Sequence, residues 1–391
     1  MKINKSLLVA ALGLASVSLA SATQYIYYTG STAARDCVFN TLMSGAGFSA
    51  VPSYVGYGNS VDGSCSYMAF SNNVGSTPTI VLCHWSGSEA GISDVSGSGT
   101  ETFIDTSAAG ITAGNAAFPA PGLAHEYVNS GSPSATVSHA VDLCQADNAI
   151  AYSKIPLSNA SAINDNLAIP FVFVKNGTTV SDQAAFTNIT SDNFKCLAQG
   201  GEVLMQFTGN AADLHYVYLS GRDSFSGTRV NCFGDTGWGI RKSPNQIILS
   251  GGAMVQQSGG SYYTSEGQSS GGTLAGSLTD TTTAADKINP THGPGFIVVA
   301  YLGLSDEVAA LNAGCHELTY NGVAYSQANV ENGIYGFWGD EWTMVKNGEG
   351  SAVTTFASTM ASSLPSHTSG YEIPFSAMNV TRNGPLDYPL Y

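Results

Sequence analysis

RDSFSGTR, at positions 222–229, is the segment from which the architecture of this chain can be predicted. It follows an apolar run, Leu214–Leu219, that is typical of a β-strand. The guanidinium of Arg222 can donate to two oxygens of one anion. A Ser-Gly-Thr turn adds hydroxyl and backbone N–H donors, and its glycine lets the backbone approach a ligand. Because open α/β sheets bind ligands at strand ends, the segment predicts an oxyanion site.

The rest of the chain repeats a pattern of strand, Gly/Ser-rich turn and helix. Residues 24–28 predict a strand, 29–32 a turn and 33–43 a helix; residues 79–85, 86–88 and 89–95 repeat the order. Further strands are predicted at residues 149–152, 167–174 and 295–302. Such alternation favours an α/β fold with a mostly parallel sheet.

Two stretches are rich in small residues and poor in charge. We interpret residues 96–140 as an insertion or long loop. Residues 250–285 predict a hairpin followed by a helix that starts near Ser270.

The first 22 residues have the pattern of a secretory signal. Lys2 and Lys5 precede an apolar run from Leu7 to Leu19, which ends at a small-residue cleavage site. The run is too short to span a bilayer. We therefore expect a mature chain from Thr23 in the periplasm or outside the cell, without membrane insertion.

Composition limits the partners of the protein. The chain has 391 residues, with 13 Lys and Arg against 28 Asp and Glu, and a net charge of −15. It carries no basic stripe, so binding to nucleic acid is not expected. An anion site must then be local, built from one or two Arg and backbone dipoles. The length after the signal suits about two compact lobes.

Seven cysteines lie at positions 37, 65, 83, 144, 196, 232 and 315. In an exported protein we expect some of them to form disulfides, and the odd number leaves at least one unpaired. Their spacing does not fit a zinc site.

The segments, in this order, resemble the phosphate-binding proteins of ABC transporters, which are periplasmic binding proteins of type II. Arg222-x-x-x-Ser226-Gly227-Thr228 fits that family's R-x-x-x-S-G-T anion loop. Weaker similarities cover nearly the whole mature chain, at residues 29–32, 86–92, 151–158, 169–174, 320–323 and 333–338.

The resemblance implies two lobes, each a mixed, mostly parallel sheet flanked by helices, joined by two crossover strands. Lobe one would comprise residues 23–168 and 287–391, and lobe two residues 169–286. It also implies a monomeric, non-enzymatic protein that captures a small tetrahedral oxyanion, with phosphate expected, and passes it to an ABC transporter permease. No cofactor or metal is expected.

The residues that the resemblance places around the anion share hydroxyl, guanidinium or backbone N–H donors. They are Ser31, Thr32, Ser86, Gly87, Ser88, Ser153, Arg222, Ser226, Gly227 and Thr228. Helix capping explains Ser31, Thr32, Ser86 and Ser88 as well, and a surface turn would explain Arg222. Arg229 could add a second anion contact or form a structural salt bridge.

Lys154 departs from the family pattern. The family's A-x-S-D motif supplies a carboxylate that accepts the proton of hydrogen phosphate, and here a donor-only Lys follows Ser153. This predicts weaker discrimination against sulfate, unless Asp94 or Asp147 serves as the acceptor.

Two other functions fit parts of the sequence. Gly267-Gln268-Ser269-Ser270-Gly271 matches the nucleophile elbow of serine hydrolases, with Asp306 and His316 or His367 as partners. A surface protein for adhesion or assembly, with the same fold and no anion, would suit the low charge and the Gly/Ser-rich insertions.

Overall fold

A computed structural model describes residues 22–97, 99–119, 126–177 and 183–382. The predicted signal peptide, residues 1–22, lies outside the described residues except for Ala22.

Strands make up much of the described chain, and one of them runs over 16 residues. In chain order they are β1 Gln24–Gly30, β2 Ser53–Tyr57, β3 Tyr67–Val74, β4 Thr77–His84, β5 Thr100–Ile104, β6 Glu126–Asn129, β7 Thr136–Ala140, β8 Leu143–Ala146, β9 Ala160–Lys175, β10 Asn188–Ile189, β11 Glu202–Val203, β12 Tyr216–Leu219, β13 Leu249–Ser250, β14 Ala253–Met254, β15 Ile297–Gly303, β16 His316–Tyr320, β17 Trp338–Lys346 and β18 Ile373–Pro374.

Helices alternate with these strands. They are α1 Arg35–Met43, α2 Ser88–Ser96, α3 Ala108–Thr112, α4 Ser191–Gly200, α5 Met205–Thr208, α6 Gly227–Asp235, α7 Gly271–Ser277, α8 Leu304–Asn312, α9 Gln327–Glu331 and α10 Ser351–Ser363. None of the helices in the described ranges is long and apolar enough to cross a membrane.

Within the described residues, 14 strands form one mixed sheet, whose main path is β11-β12-β15-β9-β17-β8-β1-β4-β3-β2-β6, while β13–β14 and β5–β7 form two separate two-stranded sheets. β1 is parallel to β4 and β8, and β12 is parallel to β15. β9 connects these two groups, since its residues up to Pro170 pair with β17 and those from Phe171 onward pair with β15. β9 therefore crosses between the two groups, and the predicted α/β fold is confirmed.

Side chains alternate along the second half of β9 and supply two separate cores. Phe171 and Phe173 pack with the α4 and α6 side of the sheet, while Val172 and Val174 pack with the α7 side. The group around β1 likewise has an apolar cluster on each face. Successive strand residues point to opposite faces, so a sheet covered on both sides needs such continuous apolar runs.

Strand pairing bears on the predicted lobe boundaries. The sequence predicts that residues 287–391 belong to lobe one. In the structure, however, β15 pairs with β12 and β9, and β16 pairs with β9 and β10. We therefore propose that the group of strands containing β12 extends to the start of β17, near Trp338. The division into lobes itself stays a prediction.

Two local predictions were wrong. Residues 149–152 do not form a strand, because the chain turns in a single 3₁₀ turn at Ile150–Tyr152 directly after β8. The described part of residues 96–140 is not one long loop, since β5 and β7 pair antiparallel and β6 adds to β2, while its interpretation as an insertion stays a prediction.

All seven cysteines are free thiols in the structure, which contradicts the predicted disulfides. Six of them are buried, and only Cys196 is exposed. The buried thiols pack as small apolar groups; Cys37 and Cys83 belong to one core and Cys232 to another.

Gly30 ends β1 in a conformation that only glycine adopts easily, with φ of +125°. A Cβ at this position would lie 1.9 Å from the carbonyl oxygen of Gln145. We expect Gly30→Ala to lower the free energy of unfolding by about 3 kcal/mol or more, because backbone strain and a backbone clash combine. Urea denaturation measures this loss.

Gly75→Ala is the matched control. Gly75 also has a positive φ, of 61°, but no atom lies within 4 Å of its added Cβ. The free energy of unfolding of Gly75→Ala should fall by only about 1 kcal/mol. Equal losses for both variants would contradict the close approach of β1 to β8.

Candidate functional site

The predicted Ser-Gly-Thr turn begins a helix. Ser226 is the N-cap of α6, and its Oγ accepts from the N–H of Arg229 at 3.2 Å. Gly227 and Thr228 form the first helical turn and are buried. The first N–H groups of a helix lack partners within it, and the helix dipole adds positive potential there. This turn is therefore a suitable place for a negative group.

The carboxylate of Asp147 meets this turn. Ser88 donates from Oγ to Asp147 Oδ1 at 2.5 Å, and Thr228 donates from Oγ1 to Asp147 Oδ2 at 3.3 Å. Asn231 on α6 donates to the carbonyl of Asp147 at 2.6 Å. Burial raises the pKa of Asp147, while the Ser88 hydroxyl and the charge of Arg222 act in the opposite direction. One buried carboxylate thus joins the first turns of α2 and α6.

Two glycines allow this close contact. A Cβ at Gly227 would lie 1.8 Å from Asp147 Oδ1, and one at Gly87 would lie 2.7 Å from the carbonyl oxygen of Phe225. Glu89 in α2 donates its N–H to the same Phe225 carbonyl at 3.0 Å. The start of α2 therefore packs directly on the loop that leads into α6.

Arg222 lies in the interior and not on a surface turn. Its side chain is buried, with Nε donating to the Gln268 carbonyl at 3.2 Å and Nη2 to the Ser269 carbonyl at 3.1 Å. Its charge lowers the pKa values of Asp147 and Asp306 against the larger effect of burial. The guanidinium is thus held by backbone carbonyls within electrostatic range of two buried carboxyls.

Arg229 forms no salt bridge with the described residues, and its contact with an anion stays a prediction. Its Nη1 donates to the carbonyls of Arg222 and Ser265 at 3.0 and 2.9 Å. Its guanidinium carbon lies 4.9 Å from the centre of the Phe233 ring. Arg229 therefore fixes the loop that carries Arg222.

The hydroxyl of Ser31 is used within its own turn. Its Oγ accepts from the N–H groups of Ala33 and Ala34 at 3.2 and 3.3 Å, and Thr32 is buried beside it. Ser86 Oγ lies 2.8 Å from Thr29 Oγ1. The place of Ser31, Thr32 and Ser86 in the site stays a prediction.

Ser153 and Lys154 lie in a neighbouring cluster around Glu89. The backbone N–H of Lys154 donates to Glu89 Oε2 at 2.9 Å, and the Ser153 hydroxyl bonds the same carboxylate. Asn148 donates to Glu89 Oε1 at 2.9 Å. Lys154 Nζ reaches across to the Ser224 carbonyl at 3.1 Å. Lys154 thus connects the surroundings of α2 to the loop before α6.

The expected weaker discrimination against sulfate depends on the two alternative proton acceptors and stays a prediction. Asp147, one of the two alternative acceptors, lies against Ser88 and Thr228. Asp94, the other, is half-buried near Glu101, whose charge adds to burial in raising the pKa of Asp94 to about 6. Sequence reasoning gave Asp147 only a secondary role. Asp147 follows β8, which pairs with β1, and this position is visible only in the structure.

The nucleophile-elbow interpretation of residues 267–271 does not match the local structure. No strand runs into Ser269 in this fully described segment, and its carbonyl is used by Arg222. Ser270 is the N-cap of α7, with its Oγ accepting from the N–H of Thr273 at 3.0 Å. Capping therefore explains the Gly and Ser pattern.

A buried hydrogen-bond network lies beside the site. Tyr28 donates to the Gln145 side chain, which donates to Asp165 Oδ2. Thr343 donates to Gln145 Oε1 at 3.1 Å. Glu341, on β17, is fully buried, and its pKa is raised well above the ordinary value by burial and by the neighbouring charges of Asp147 and Asp165. Within the described ranges, no three Asp, Glu, His or Cys side chains are grouped so that they could hold a metal ion.

Comparison with known proteins gives structural similarity only. No family model matches the sequence, and no curated protein does. The chain is similar to a proposed phosphate ABC transporter substrate-binding protein with bound phosphate from Clostridium perfringens, at 10% identity and a TM-score of 0.43, over 86% of this chain and 93% of the other.

Similarity of the same kind extends to two further solved structures. One is an ABC-type phosphate transport receptor from Vibrio cholerae, at 11% identity and a TM-score of 0.41, over 87% and 94% of the two chains. The other is a phosphate-binding protein from Stenotrophomonas maltophilia, at 12% and 0.38, over 90% and 88%. These proteins are of the class that the sequence resembles.

Asp165 generates a pH prediction. Burial raises its pKa to about 7, against the hydrogen bonds from Thr343 and Gln145. Since the folded state then holds this proton more strongly than the unfolded state, the carboxyl costs stability as pH rises from about 4 to about 7. Asp165→Asn should therefore gain about 2–4 kcal/mol relative to the wild type over that range. Urea denaturation at several pH values measures the difference, and a pH-independent difference would contradict the prediction.

Proposed function

We propose that the chain is a secreted, non-enzymatic binding protein that captures inorganic phosphate and delivers it to an ABC transporter permease. The ligand would lie at the first turns of α2 and α6, inside the protein. Removal of residues 1–22 would release it to the periplasm or the cell exterior as a monomer.

The observation that carries this proposal is the convergence of two helix starts on one buried carboxylate. Ser88 and Thr228 supply hydroxyls from different parts of the sheet, and Arg222 supplies a positive charge nearby. Hydroxyls and helix N-termini stabilise anions in a place without water. The Arg222-x-x-x-Ser226-Gly227-Thr228 loop has the residues and spacing that the resemblance assigns to phosphate.

Asp147 gives the site a reason to prefer phosphate. A carboxylate can only accept hydrogen bonds, so it favours an anion that still carries a proton. Hydrogen phosphate carries one at neutral pH, whereas sulfate does not. On binding, the hydroxyls of Ser88 and Thr228 would turn from Asp147 to the unprotonated oxygens of phosphate, and Asp147 would accept the remaining proton.

A second function is favoured by one observation. Asp147 already takes the donors of Ser88 and Thr228. A protein of this fold that serves in adhesion or assembly could keep such an internal carboxylate instead of a ligand. A rise of the melting temperature with phosphate concentration, expected for any ligand of the native state, distinguishes the two functions.

Arg222→Ala should weaken phosphate binding by about 2–5 kcal/mol, because the buried negative charge of the ligand would lose the positive charge of Arg222. Arg222→Lys keeps the charge but loses the fork geometry, so it should also bind more weakly than the wild type. Titration calorimetry measures both variants.

Arg241→Ala is the control for this prediction, since Arg241 is exposed. It should bind phosphate like the wild type. Circular dichroism and urea denaturation show whether the Arg222 variants are folded. Wild-type affinity in a folded Arg222→Ala protein would rule out this role for the guanidinium.

Asp147→Asn should reverse the preference between phosphate and sulfate. The amide no longer repels a fully deprotonated anion, and it can donate to it. We expect phosphate affinity to fall at least about tenfold and sulfate affinity to rise, as measured by competition calorimetry. Asp94→Asn, at the other candidate acceptor, should leave the ratio unchanged. An unchanged ratio of phosphate to sulfate affinity in Asp147→Asn would mean that Asp147 does not accept a hydrogen bond from the protonated oxygen of the anion.

A further inference from the structure

A pocket of about 590 Å³ opens between the α1 region and the start of α7 and α8. It is lined from one side by the turn after β2 and from the other by α7 and α8. We propose that this pocket binds a neutral polyhydroxylated small molecule, such as a mono- or disaccharide, separately from the phosphate site. Pockets of 300–1,000 Å³ are typical of small-molecule sites, and this one is too large for an inorganic anion alone.

A buried ion pair at the pocket wall has hydrogen-bonding capacity left over. Arg35 Nη2 and Asp306 Oδ1 are 3.6 Å apart, which is longer than the 2.7–2.9 Å of a charge-assisted hydrogen bond. Arg35 is 6% exposed, and its Nε has no hydrogen-bond partner. The Nε atom itself has no solvent contact, so the capacity available to a ligand is that of the long Arg35–Asp306 pair, where a hydroxyl can accept from the guanidinium and donate to the carboxylate.

The remaining polar lining is uncharged. It consists of hydroxyl and amide side chains that both donate and accept, namely Asn59, Ser64, Ser66, Ser270, Thr273, Ser305 and Asn312. The Ser305 hydroxyl is buried without a hydrogen-bond partner. Val61, Val308 and Tyr371 add apolar surface. Mixed donors and acceptors beside apolar carbon match the alternation of hydroxyl and C–H groups on a sugar ring.

Charge balance excludes a strong preference for an ion. Arg35 is balanced by Asp306 and by its neighbour Asp36, whose pKa burial raises while the charge of Arg35 lowers it. Arg222 also acts on Asp306. A neutral ligand keeps this balance, because its hydroxyls can accept from Arg35 and donate to Asp306 without adding charge.

Gly272 allows the pocket to be filled without disturbing the backbone. It lines the pocket, and a Cβ there would be 3.6 Å from Asp306 Oδ1, an ordinary contact. Gly276 lies in the same helix and has no atom within 4 Å of an added Cβ. Gly272→Leu and Gly276→Leu are therefore matched variants, one inside the pocket and one outside it.

The test measures the melting temperature with glucose, maltose and inositol, each at up to about 10 mM, below the range where sugars stabilise proteins in general. At least one probe should raise the melting temperature of the wild type and of Gly276→Leu, and this rise should saturate as the probe concentration increases. Gly272→Leu should respond at least about tenfold more weakly.

Three results would overturn the proposal: no response of the wild type to any probe, an equal response of both leucine variants, or a response to glycine and alanine in place of the polyols. Circular dichroism and the melting temperature without ligand show that both variants fold. Phosphate titration of the same samples is read separately, so a failure of the phosphate site does not affect the outcome.

Discussion

The carboxylate of Asp147 holds the first turns of two helices together where water is excluded. In such surroundings a hydrogen bond to a charged group is strong, and a missing one is costly. Gly227 must lack a side chain because Asp147 Oδ1 occupies its place, and Gly87 must lack one because α2 approaches the Phe225 carbonyl. The Asp147 carboxylate thus explains Gly227, and the contact between α2 and the Phe225 carbonyl explains Gly87.

Arg222 determines how a second negative group could enter this region. Its guanidinium is anchored by the carbonyls of Gln268 and Ser269, so its position does not depend on a ligand. It acts electrostatically on both Asp147 and Asp306. A fixed positive charge of this kind stabilises an anion without first having to be ordered, which lowers the cost of binding. Because Asp306 lines the neighbouring pocket, the charge of Arg222 also acts electrostatically on the wall of that pocket.

The elements nearest to strong local signals could be predicted from the sequence. β1, β4, α2, β12 and the start of α6 follow from apolar runs and capping residues. What failed depends on distant contacts. Ser153 matches a family motif and Lys154 departs from it, but the sequence does not show that Glu89, 65 residues before Lys154, holds their turn. The predicted lobe of β15 follows from chain order alone. Its pairing with β12 instead depends on contacts between distant parts of the chain. Asp147 has no local motif, and only the neighbouring helix starts show its role.

The site is also joined to β17, which pairs with the connecting strand β9. Gly339 on β17 lies so close that a Cβ there would be 2.5 Å from the Asp147 carbonyl oxygen, and Asn231 on α6 donates to that same oxygen. The register of β17 against β9 shifts between Asp340 and Trp342, at the buried Glu341. A change in the angle between the two groups of strands would therefore act on Asp147 through its backbone as well as through Ser88 and Thr228. Since linked changes are reciprocal, an anion that draws these hydroxyls away would in turn bias that angle.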